Sequence, residues 1–376
     1  MTPVLILISA LCALAVIYPY VIYPRILRRL PTRPVTPVLG HHTSVTLLFC
    51  AYNEEASIPE KLANIEVLKA RHPELEVLAF DDGSSDQTRQ MLLDRPDLVQ
   101  LEEGGGRNGK AHGMKRMAAR ATGEIIVFTD ANVILREDAL SNLMAWYADP
   151  QVGGVCGSLH YLDDDSSATA TATVGSRYWR MEEALKAEES RTGNVMGADG
   201  SIFSLRRSLY PEFPDTVLDD LTVSMAAVFA GKRLLKVADV IAYERLVSDR
   251  SDEIARKIRI AARAYHTHLF LQPQLRQMAA QDRFKYRSRK IIRWFGGGFL
   301  TLGALAGLAA TFSIHPILGG LAMLVVLGLG GLAWRQTTGI AAGVTEIVIA
   351  LLATQVGVIR AMRGQVYRVW TPAKSR

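Results

Sequence analysis

The stretch at residues 123–135, GEIIVFTDANVIL, most constrains what this chain can fold into. Its apolar, β-branched run at 124–128 is typical of a strand in a parallel sheet that is covered on both faces. Asp130 follows at the carboxyl end of this strand, where open α/β sheets bind their ligands. One acidic residue after one strand is also an ordinary turn residue, so this motif alone leaves both interpretations open.

A second acidic motif follows another buried run and favours a site over a turn. Residues 77–80, VLAF, lead directly into Asp81 and Asp82. Because the carboxyl ends of parallel strands meet at one edge of a sheet, the two motifs are expected to lie close together. Carboxylates gathered at such an edge predict a metal or nucleotide site.

Strand and helix patterns alternate along the middle of the chain. Strands are predicted at 45–50, 76–80, 124–128, 152–159 and 234–242, and helices at 57–69, about 85–93, 111–121, 137–147, 168–189, 219–229 and 253–271. Ser84 or Ser85 is a suitable N-cap for the second helix, and 163–165 is predicted to be a solvated acidic turn. The alternation predicts βαβ units and therefore an α/β fold with a mostly parallel sheet.

Apolar segments lie at both ends of the chain. Residues 4–23 form a run of about 20 nearly uncharged residues, which is long enough to cross a bilayer. Tyr18, Tyr20 and Tyr23, followed by arginines, are typical of an interfacial aromatic belt and a cytoplasmic anchor. Further apolar segments occupy 295–312, 316–334 and 339–359. Glu346 weakens the last of these, because a charge at mid-bilayer is costly.

The formal net charge of +6 does not indicate a nucleic-acid partner. The basic residues cluster beside the apolar segments and lack interleaved aromatic residues on a soluble face, so they predict attraction to anionic membrane lipids instead. The basic helix at 253–271 is predicted to lie on the membrane surface. The three widely spaced cysteines, Cys12, Cys50 and Cys156, predict free thiols in a reducing compartment.

Three further motifs carry candidate functional side chains. Lys110 ends a glycine-rich turn at a helix start, which suits either a phosphate or a plain loop. Gly200 and Ser201 are small residues that let a ligand approach the backbone closely. Asp219 and Asp220 open a helix, where acidic residues are favourable in any protein because of the helix dipole. None of these motifs decides the function alone.

Six motifs occur in a fixed order along the chain. They are CAYNEE at 50–55, FDDGSSDQT at 80–88, GRNGKAHG at 106–113, FTDAN at 128–132, GADGSIFSLRR at 197–207 and LDDLTVSM at 218–225. In this order they resemble the family 2 inverting glycosyltransferases, most closely the membrane-bound branch that includes cellulose, hyaluronan and poly-N-acetylglucosamine synthases. The resemblance covers about 45–260 and implies a GT-A fold, which is Rossmann-like, flanked by transmembrane helices.

The resemblance also implies a nucleotide-sugar donor, UDP-linked in the first instance, and roles for the motif residues. Asp82 would read the nucleobase, Lys110 would help to bind the phosphates, and Gly200 and Ser201 would contact the acceptor. The base and ribose would rest on the loop formed by Ala51, Tyr52, Asn53 and Glu54. Asp130 and Asn132 would hold a divalent cation, Mg²⁺ or Mn²⁺, against the diphosphate.

Asp220 matches the catalytic carboxylate of the family, with Asp219 beside it. An acidic pair gives a physical reason for a raised pKa on one member, which suits a general base. The processive synthases carry Gln-x-x-Arg-Trp on the next helix, where this chain has Arg256 and Arg259 as candidate donor ligands but no tryptophan. The similar run KIIRW at 290–294 is predicted to be an interfacial anchor.

The sequence therefore predicts a membrane-bound inverting glycosyltransferase of an inner or plasma membrane that extends an exopolysaccharide or other surface glycan. A polyprenyl-phosphate acceptor is the alternative, and a non-catalytic nucleotide-sensing scaffold is a third reading. Partner subunits for export are also expected. The expected divisions are a helix and anchor at 1–30, a cytoplasmic catalytic domain at 31–250, basic interfacial helices at 251–294, two or three transmembrane helices at 295–360 and a basic tail at 361–376.

Overall fold

The computed structural model of the protein describes residues 1–162, 170–245, 250–335 and 339–369. The predicted acidic turn at 163–165 and the end of the basic tail lie outside these residues. Within them, one mixed sheet has the strand order β3-β2-β1-β4-β7-β6-β8-β5. The strands are β1 Val45–Ala51, β2 Glu76–Asp81, β3 Gln100–Glu103, β4 Ile125–Asp130, β5 Ile134–Leu135, β6 Val152–Tyr161, β7 Ile202–Arg206 and β8 Arg233–Glu244.

Helices cover both faces of this sheet and extend from it. They are α1 Thr2–Ile17, α2 Tyr23–Arg29, α3 Ile58–Arg71, α4 Thr88–Leu93, α5 Lys110–Arg120, α6 Ala139–Trp146, α7 Ala170–Arg191, α8 Asp219–Phe229, α9 Arg250–Gln277, α10 Ala280–Tyr286, α11 Ile292–Trp294, α12 Gly296–Ile314, α13 Pro316–Arg335 and α14 Gly339–Met362. The strands β1, β2 and β4 bury their side chains on both faces, as the apolar runs predicted.

The register of the central strands brings the two acidic motifs together. Strand β1 lies between β2 and β4 and runs parallel to both of them. Ala51 pairs with Asp81 on one side, and Cys50 pairs with Asp130 on the other. The loop that follows β1 is therefore flanked by acidic strand ends, which confirms the predicted clustering at one edge of the sheet.

Three parts of the sheet were not predicted. The short strands β3, β5 and β7 are absent from the sequence-based expectation, and β7 runs antiparallel to both β4 and β6. The predicted N-cap role of Ser84 and Ser85 is wrong, because α4 begins only at Thr88. Both serines bind Asn53 instead: the Asn53 N–H donates to Ser84 Oγ at 3.0 Å, and the Ser85 N–H donates to Asn53 Oδ1 at 2.8 Å.

Three helices in the described residues are long and apolar enough to cross a membrane. They are the continuous helical segment Thr2–Arg29, α12 and α14. In Thr2–Arg29, a π-helical turn at Tyr18–Ile22 joins α1 to α2. Helix α13 contains a shorter apolar stretch, Pro316–Gly328. All three cysteines are buried and free, as expected.

A buried ion network connects the amino-terminal helix to the α/β domain. Tyr23 is fully buried and donates a hydrogen bond to Glu189 Oε1 at 2.7 Å. Arg289 binds Glu189 at 2.6 Å and also binds Glu182, which pairs with Arg293 at 2.7 Å. The prediction that Tyr23 belongs to an interfacial aromatic belt is therefore wrong. The prediction that 290–294 is an interfacial anchor is likewise wrong for Arg293 and Trp294. These side chains contact protein, and the Trp294 ring packs on His268 and Tyr286.

The polar residues of α14 also have protein partners. Glu346 is buried and pairs with Arg250 at 2.5 Å. The Gln355 Oε1 atom accepts a hydrogen bond from the Gly298 N–H at 3.0 Å. Helix α14 packs closely on α9, since a Cβ at Gly357 would lie 3.0 Å from the Ala262 nitrogen. The charge of Glu346 is thus compensated by Arg250 of α9. It therefore does not argue against α14 crossing a membrane.

Candidate active site

Two loops at the carboxyl edge of the sheet bind each other and form one wall of the site. In the predicted donor loop 51–54, Asn53 has a left-handed backbone with φ of 51°. Its side chain and backbone bind Ser84 and Ser85, and the Glu54 N–H donates to Thr88 Oγ1 at 2.7 Å. These bonds fix the loop that carries Ala51 and Tyr52 against the end of β2, so the loop is held in place before any ligand arrives.

Asp82 anchors the glycine-rich loop beside this wall. Its side chain is fully buried, and Oδ1 accepts the N–H groups of Asn108 at 2.7 Å and Gly109 at 2.8 Å. Within the described residues, Oδ2 accepts no hydrogen bond although Arg107 lies 3.5 Å away. The guanidinium of Arg107 stacks 3.2 Å above the Tyr52 ring. Asp82 thus holds the loop with one oxygen and presents a second, buried acceptor.

Lys110 joins the two acidic groups of the predicted site. Its Nζ lies 2.5 Å from Asp130 Oδ1 and 3.9 Å from Asp219 Oδ2. Burial opposes the charge of Lys110, but the carboxylates of Asp130 and Asp219 outweigh it and raise its pKa above the ordinary value. The structure therefore brings together residues from the end of β4, the start of α5 and the start of α8.

The two aspartates at the start of α8 have different surroundings. Asp219 is buried and lies within 3.9 Å of two cations, those of Lys110 and Arg263. Burial and the adjacent Asp219 carboxylate raise the pKa of Asp220 to about 7. The Leu221 N–H donates to Asp220 Oδ1 at 2.6 Å. A carboxyl group with this raised pKa can exchange a proton near neutral pH.

Few protein atoms are available as ligands for the predicted metal ion. The described residues contain no group of three or more His, Cys, Asp or Glu side chains that could hold a metal ion. Asp130 is about one-third exposed at the edge of the sheet. Asn132 donates its amide N–H to Glu244 Oε1 at 2.9 Å, which fixes the orientation of its amide. One carboxylate with an oriented amide fits a Mg²⁺-type ion that takes its remaining ligands from water and substrate phosphates.

The small residues predicted for acceptor binding lie directly against the Lys110–Asp130 pair. A Cβ at Gly200 would lie 3.0 Å from Lys110 Nζ and 3.4 Å from Asp130 Oδ2, so only glycine fits there without a shift. The neighbouring Ser201 donates to Asp199, which pairs with Lys186 at 2.5 Å. Although burial acts in the opposite direction, Lys186 lowers the pKa of Asp199 to about 2. This ion pair fixes the loop beneath the site.

One basic residue of α9 lies beside the acidic pair although it was not predicted as a site residue. Arg263 is buried, donates to the Val217 carbonyl at 2.9 Å and lies 3.8 Å from Asp219. Arg256 pairs with Glu253 at 2.8 Å. Arg259 and Arg256 precede Arg263 by four and seven residues and therefore share one side of the helix. The same spacing could have identified Arg263 from the sequence.

Two other contacts at the site were missed. Lys290 Nζ lies 3.8 Å from the position of a Cβ on Gly197, next to Leu221. In the described part of the chain, no hydrogen bond or ion pair reaches this ammonium group, and burial and Arg289 lower its pKa to about 8. The carbonyl of Arg368 lies against Gly109, where φ is 95° and a Cβ would clash. The carboxyl-terminal segment therefore covers the glycine-rich loop, and no local signal indicated this.

Comparison with known proteins gives a family match and several relatives. Residues 46–213 match the model of glycosyl transferase family 2. The poly-beta-1,6-N-acetyl-D-glucosamine synthase of Staphylococcus aureus (strain COL) is 24% identical over 200 residues, which are 50% of this chain and 47% of that protein. The Staphylococcus epidermidis synthase is 24% identical over 190 residues, which are 48% and 44% of the two chains. The chain thus spans about half the length of these relatives.

A solved structure extends the likeness to nearly the whole chain. The mannosyltransferase PcManGT from Pyrobaculum calidifontis, in complex with GDP-Man and Mn²⁺, aligns with a TM-score of 0.73 and 24% identity. The alignment covers 96% of this chain and 99% of that one. The predicted GT-A fold is confirmed by this likeness and by the observed α/β architecture.

Proposed function

Because residues 46–213 form a glycosyl transferase family 2 domain, as the six motifs predicted, we propose that the protein is a membrane-associated inverting transferase. It moves a sugar from a nucleotide-sugar donor, UDP-linked in the first instance, to a hydroxyl group of a growing surface glycan. The observation that carries the proposal is the cluster of Lys110, Asp130, Asp219 and Asp220 at one edge of the sheet. The three apolar helices support anchoring in a membrane. The arginines that follow the first apolar run are the reason for placing the catalytic domain on the cytoplasmic side.

The donor would lie between the two bound loops and the glycine-rich turn. Asp82 offers a buried acceptor for an N–H group of the nucleobase, and the loop 51–54 provides the adjoining wall. Lys110 would contact the diphosphate, where negative charge grows as the anomeric bond breaks. Asp130, together with Asn132, would hold a divalent cation, which supplies Lewis-acid stabilisation of that leaving group.

The acceptor would approach from the side of α8. In an inverting transfer the hydroxyl group attacks the face of the sugar opposite the leaving group, so the base must stand apart from the metal ligand. Asp220 suits this role because its pKa of about 7 lets it accept a proton near neutral pH. Asp219 stays paired with Lys110 and Arg263, and we assign it the role of holding these cations.

Turnover of purified full-length protein tests the proposal. A panel of UDP-, GDP- and dTDP-sugars is supplied with Mn²⁺ or Mg²⁺, with and without a chelator, and the released nucleotide is identified. We expect metal-dependent release from one donor class. Binding of a nucleotide sugar without turnover in any combination would contradict the proposal and favour a nucleotide-sensing scaffold.

A lipid-linked phosphate is the second candidate acceptor, and Lys290 is the observation that favours it. This ammonium group lies near Gly197, close to the start of α8, without a described partner. An anionic acceptor would neutralise it, whereas a neutral glycan would not. Supplying polyprenyl phosphate and an oligosaccharide as competing acceptors distinguishes the two, because only one will carry the labelled sugar.

Replacing Asp82 by asparagine should weaken donor binding. The asparagine side chain can still accept the loop N–H groups through its oxygen, but it would present an NH₂ group to the nucleobase where the wild type presents a carboxylate oxygen. Losing a hydrogen bond to a charged group corresponds to about 10- to 100-fold in affinity. Isothermal titration with the donor measures the change, and Asp97→Asn on the exposed surface is the control. Unchanged affinity would remove Asp82 from the donor site.

Replacing Lys110 by methionine should move the pH dependence of transfer. The Lys110 charge lowers the pKa of Asp220, so its loss raises that pKa further. The midpoint of the rise in kcat/KM with pH should therefore shift upward from about 7, and the shift should be smaller for Lys110→Arg, which keeps the charge. A profile from about pH 5.5 to about pH 9 records it. An unmoved midpoint would show that the two groups are not coupled.

A further inference from the structure

A cavity of about 530 Å³ lies outside the candidate active site. It is bounded by the end of α9, by α10 and by the π-helical turn Arg287–Ile291. Its volume falls in the range of sites that bind small molecules, which is roughly 300 to 1,000 Å³. None of the residues assigned above to donor, metal or acceptor lines it.

Three arginines form the rim of this cavity: Arg276, Arg283 and Arg287. Arg276 contacts Gln272 Oε1 at 3.4 Å, and Arg283 donates to the Arg276 carbonyl at 2.7 Å. In the described residues no carboxylate pairs with any of the three. By contrast, the nearby Arg289 and Arg293 both pair with Glu182. The rim therefore carries uncompensated positive charge that suits an anion.

The floor of the cavity is apolar. Leu275 and Met278 are buried in it, and Ile291 and Ile292 are half-buried along one side. The ring of Tyr286 forms part of the wall. A small hydrophilic anion would gain nothing from this surface, whereas a molecule with an anionic head and an apolar tail would contact both the rim and the floor.

The cavity lies next to a candidate membrane span. Ile292 precedes the first residue of α12 by four positions, which corresponds to about 6 Å along a helix. The headgroup layer on each side of a bilayer is roughly 5 to 8 Å thick. If α12 crosses the membrane, the apolar floor lies at the boundary of the hydrocarbon, and the long arginine side chains reach into the headgroup layer.

We propose that this cavity is a binding site for a membrane lipid with an anionic headgroup. The phosphate contacts the arginine rim and the first part of an acyl chain lies on the apolar floor. The proposal goes beyond attraction of a basic protein to a charged surface, because it assigns one lipid molecule to one cavity. It rests on the proposed membrane association, which is tested separately by flotation of the protein with phosphatidylcholine vesicles.

The experiment titrates full-length protein in neutral detergent with short-chain phosphatidylglycerol or phosphatidylcholine and follows binding by thermophoresis. We expect phosphatidylglycerol to bind at least about tenfold more tightly. Arg276→Gln/Arg287→Gln should weaken that binding by about thirtyfold, as expected for two lost charges. Both side chains are exposed, so folding should be unaffected. The matched control is Arg28→Gln/Arg29→Gln, an exposed pair beside the other end of the chain, which should bind like the wild type.

Each other outcome overturns the proposal. Equal losses in the two double variants would mean diffuse surface attraction. Competition by inorganic phosphate at the same concentration as the lipid would mean a site for a free anion. A change of oligomeric state in Arg276→Gln/Arg287→Gln would mean that a second copy of the chain covers the cavity. Failure of flotation would contradict membrane association itself, while flotation without a preference for phosphatidylglycerol would contradict only the cavity site.

Discussion

Replacement of Asp220 by asparagine is expected to abolish sugar transfer while donor binding persists. Asparagine has nearly the same shape but cannot take up the proton of the acceptor hydroxyl group. Loss of a general base typically lowers the rate by about 10²- to 10⁴-fold. Asp219, Lys110 and Arg263 would keep their contacts, because none of them depends on the Asp220 side chain for its position. Single-turnover transfer and donor affinity, measured in parallel on the same preparation, give the two quantities.

The stability of this variant provides the control. The pKa of Asp220 is raised from its ordinary value of 3.8 to about 7 in the folded protein. Between these two values the folded state holds a proton that the unfolded state releases, so the contribution of Asp220 to stability falls as the pH rises toward about 7. Asp220→Asn removes this penalty and should be at least as stable as the wild type at about pH 8. Normal transfer by Asp220→Asn would contradict the assignment of the base.

The central part of the site could be predicted because local patterns determine it. The apolar runs before Asp82 and Asp130 mark parallel strands, and parallel strands place their carboxyl ends at one edge. No long-range information is needed for that inference. The start of α8 at Asp219 followed in the same way from acidic residues at a helix beginning.

The missed features depend on partners that are distant in the chain. Tyr23 looked like an interfacial residue, but its hydroxyl group meets Glu189. Glu346 looked costly in an apolar helix, but Arg250 compensates it. Ser84 was predicted to be a helix cap, but its hydroxyl oxygen accepts a hydrogen bond from the Asn53 N–H. In each case the local preference was overridden by a pairing that only the folded chain creates.

The unpredicted strands have a related explanation. Strand β3 has the polar sequence QLEE, and it lies at an edge of the sheet, where one side has no neighbouring strand among the described residues. Edge strands tolerate charged residues, so they lack the apolar run by which a buried strand is predicted. Strand β7 has only five residues and directly follows the small-residue loop at 197–201. The sequence pattern of this motif therefore indicated a loop and not a strand.

Replacement of Asp130 by asparagine should remove the metal response of transfer. Asp130 is the only carboxylate among the proposed cation ligands, so the neutral variant would rely on amide oxygens and the donor phosphates. We expect the rate of transfer to fall by about 10²- to 10³-fold, which is the usual effect of removing one group that stabilises the developing charge. Lys110 would also lose its partner at 2.5 Å, so donor affinity must be measured separately from the rate.

Asn132→Ala separates the two proposed ligands. Its amide is held by Glu244, so its oxygen has a fixed direction, and removing a ligand or its support typically costs about 10- to 100-fold in metal affinity. The Mn²⁺ concentration that gives half-maximal transfer should therefore rise by about tenfold in Asn132→Ala, with the maximal rate recovered at high metal. Asp130→Asn should not recover at any metal concentration. If Asn132→Ala has the Mn²⁺ dependence of the wild type, Asn132 is not a ligand, and Asp130 must hold the cation with water and the diphosphate alone.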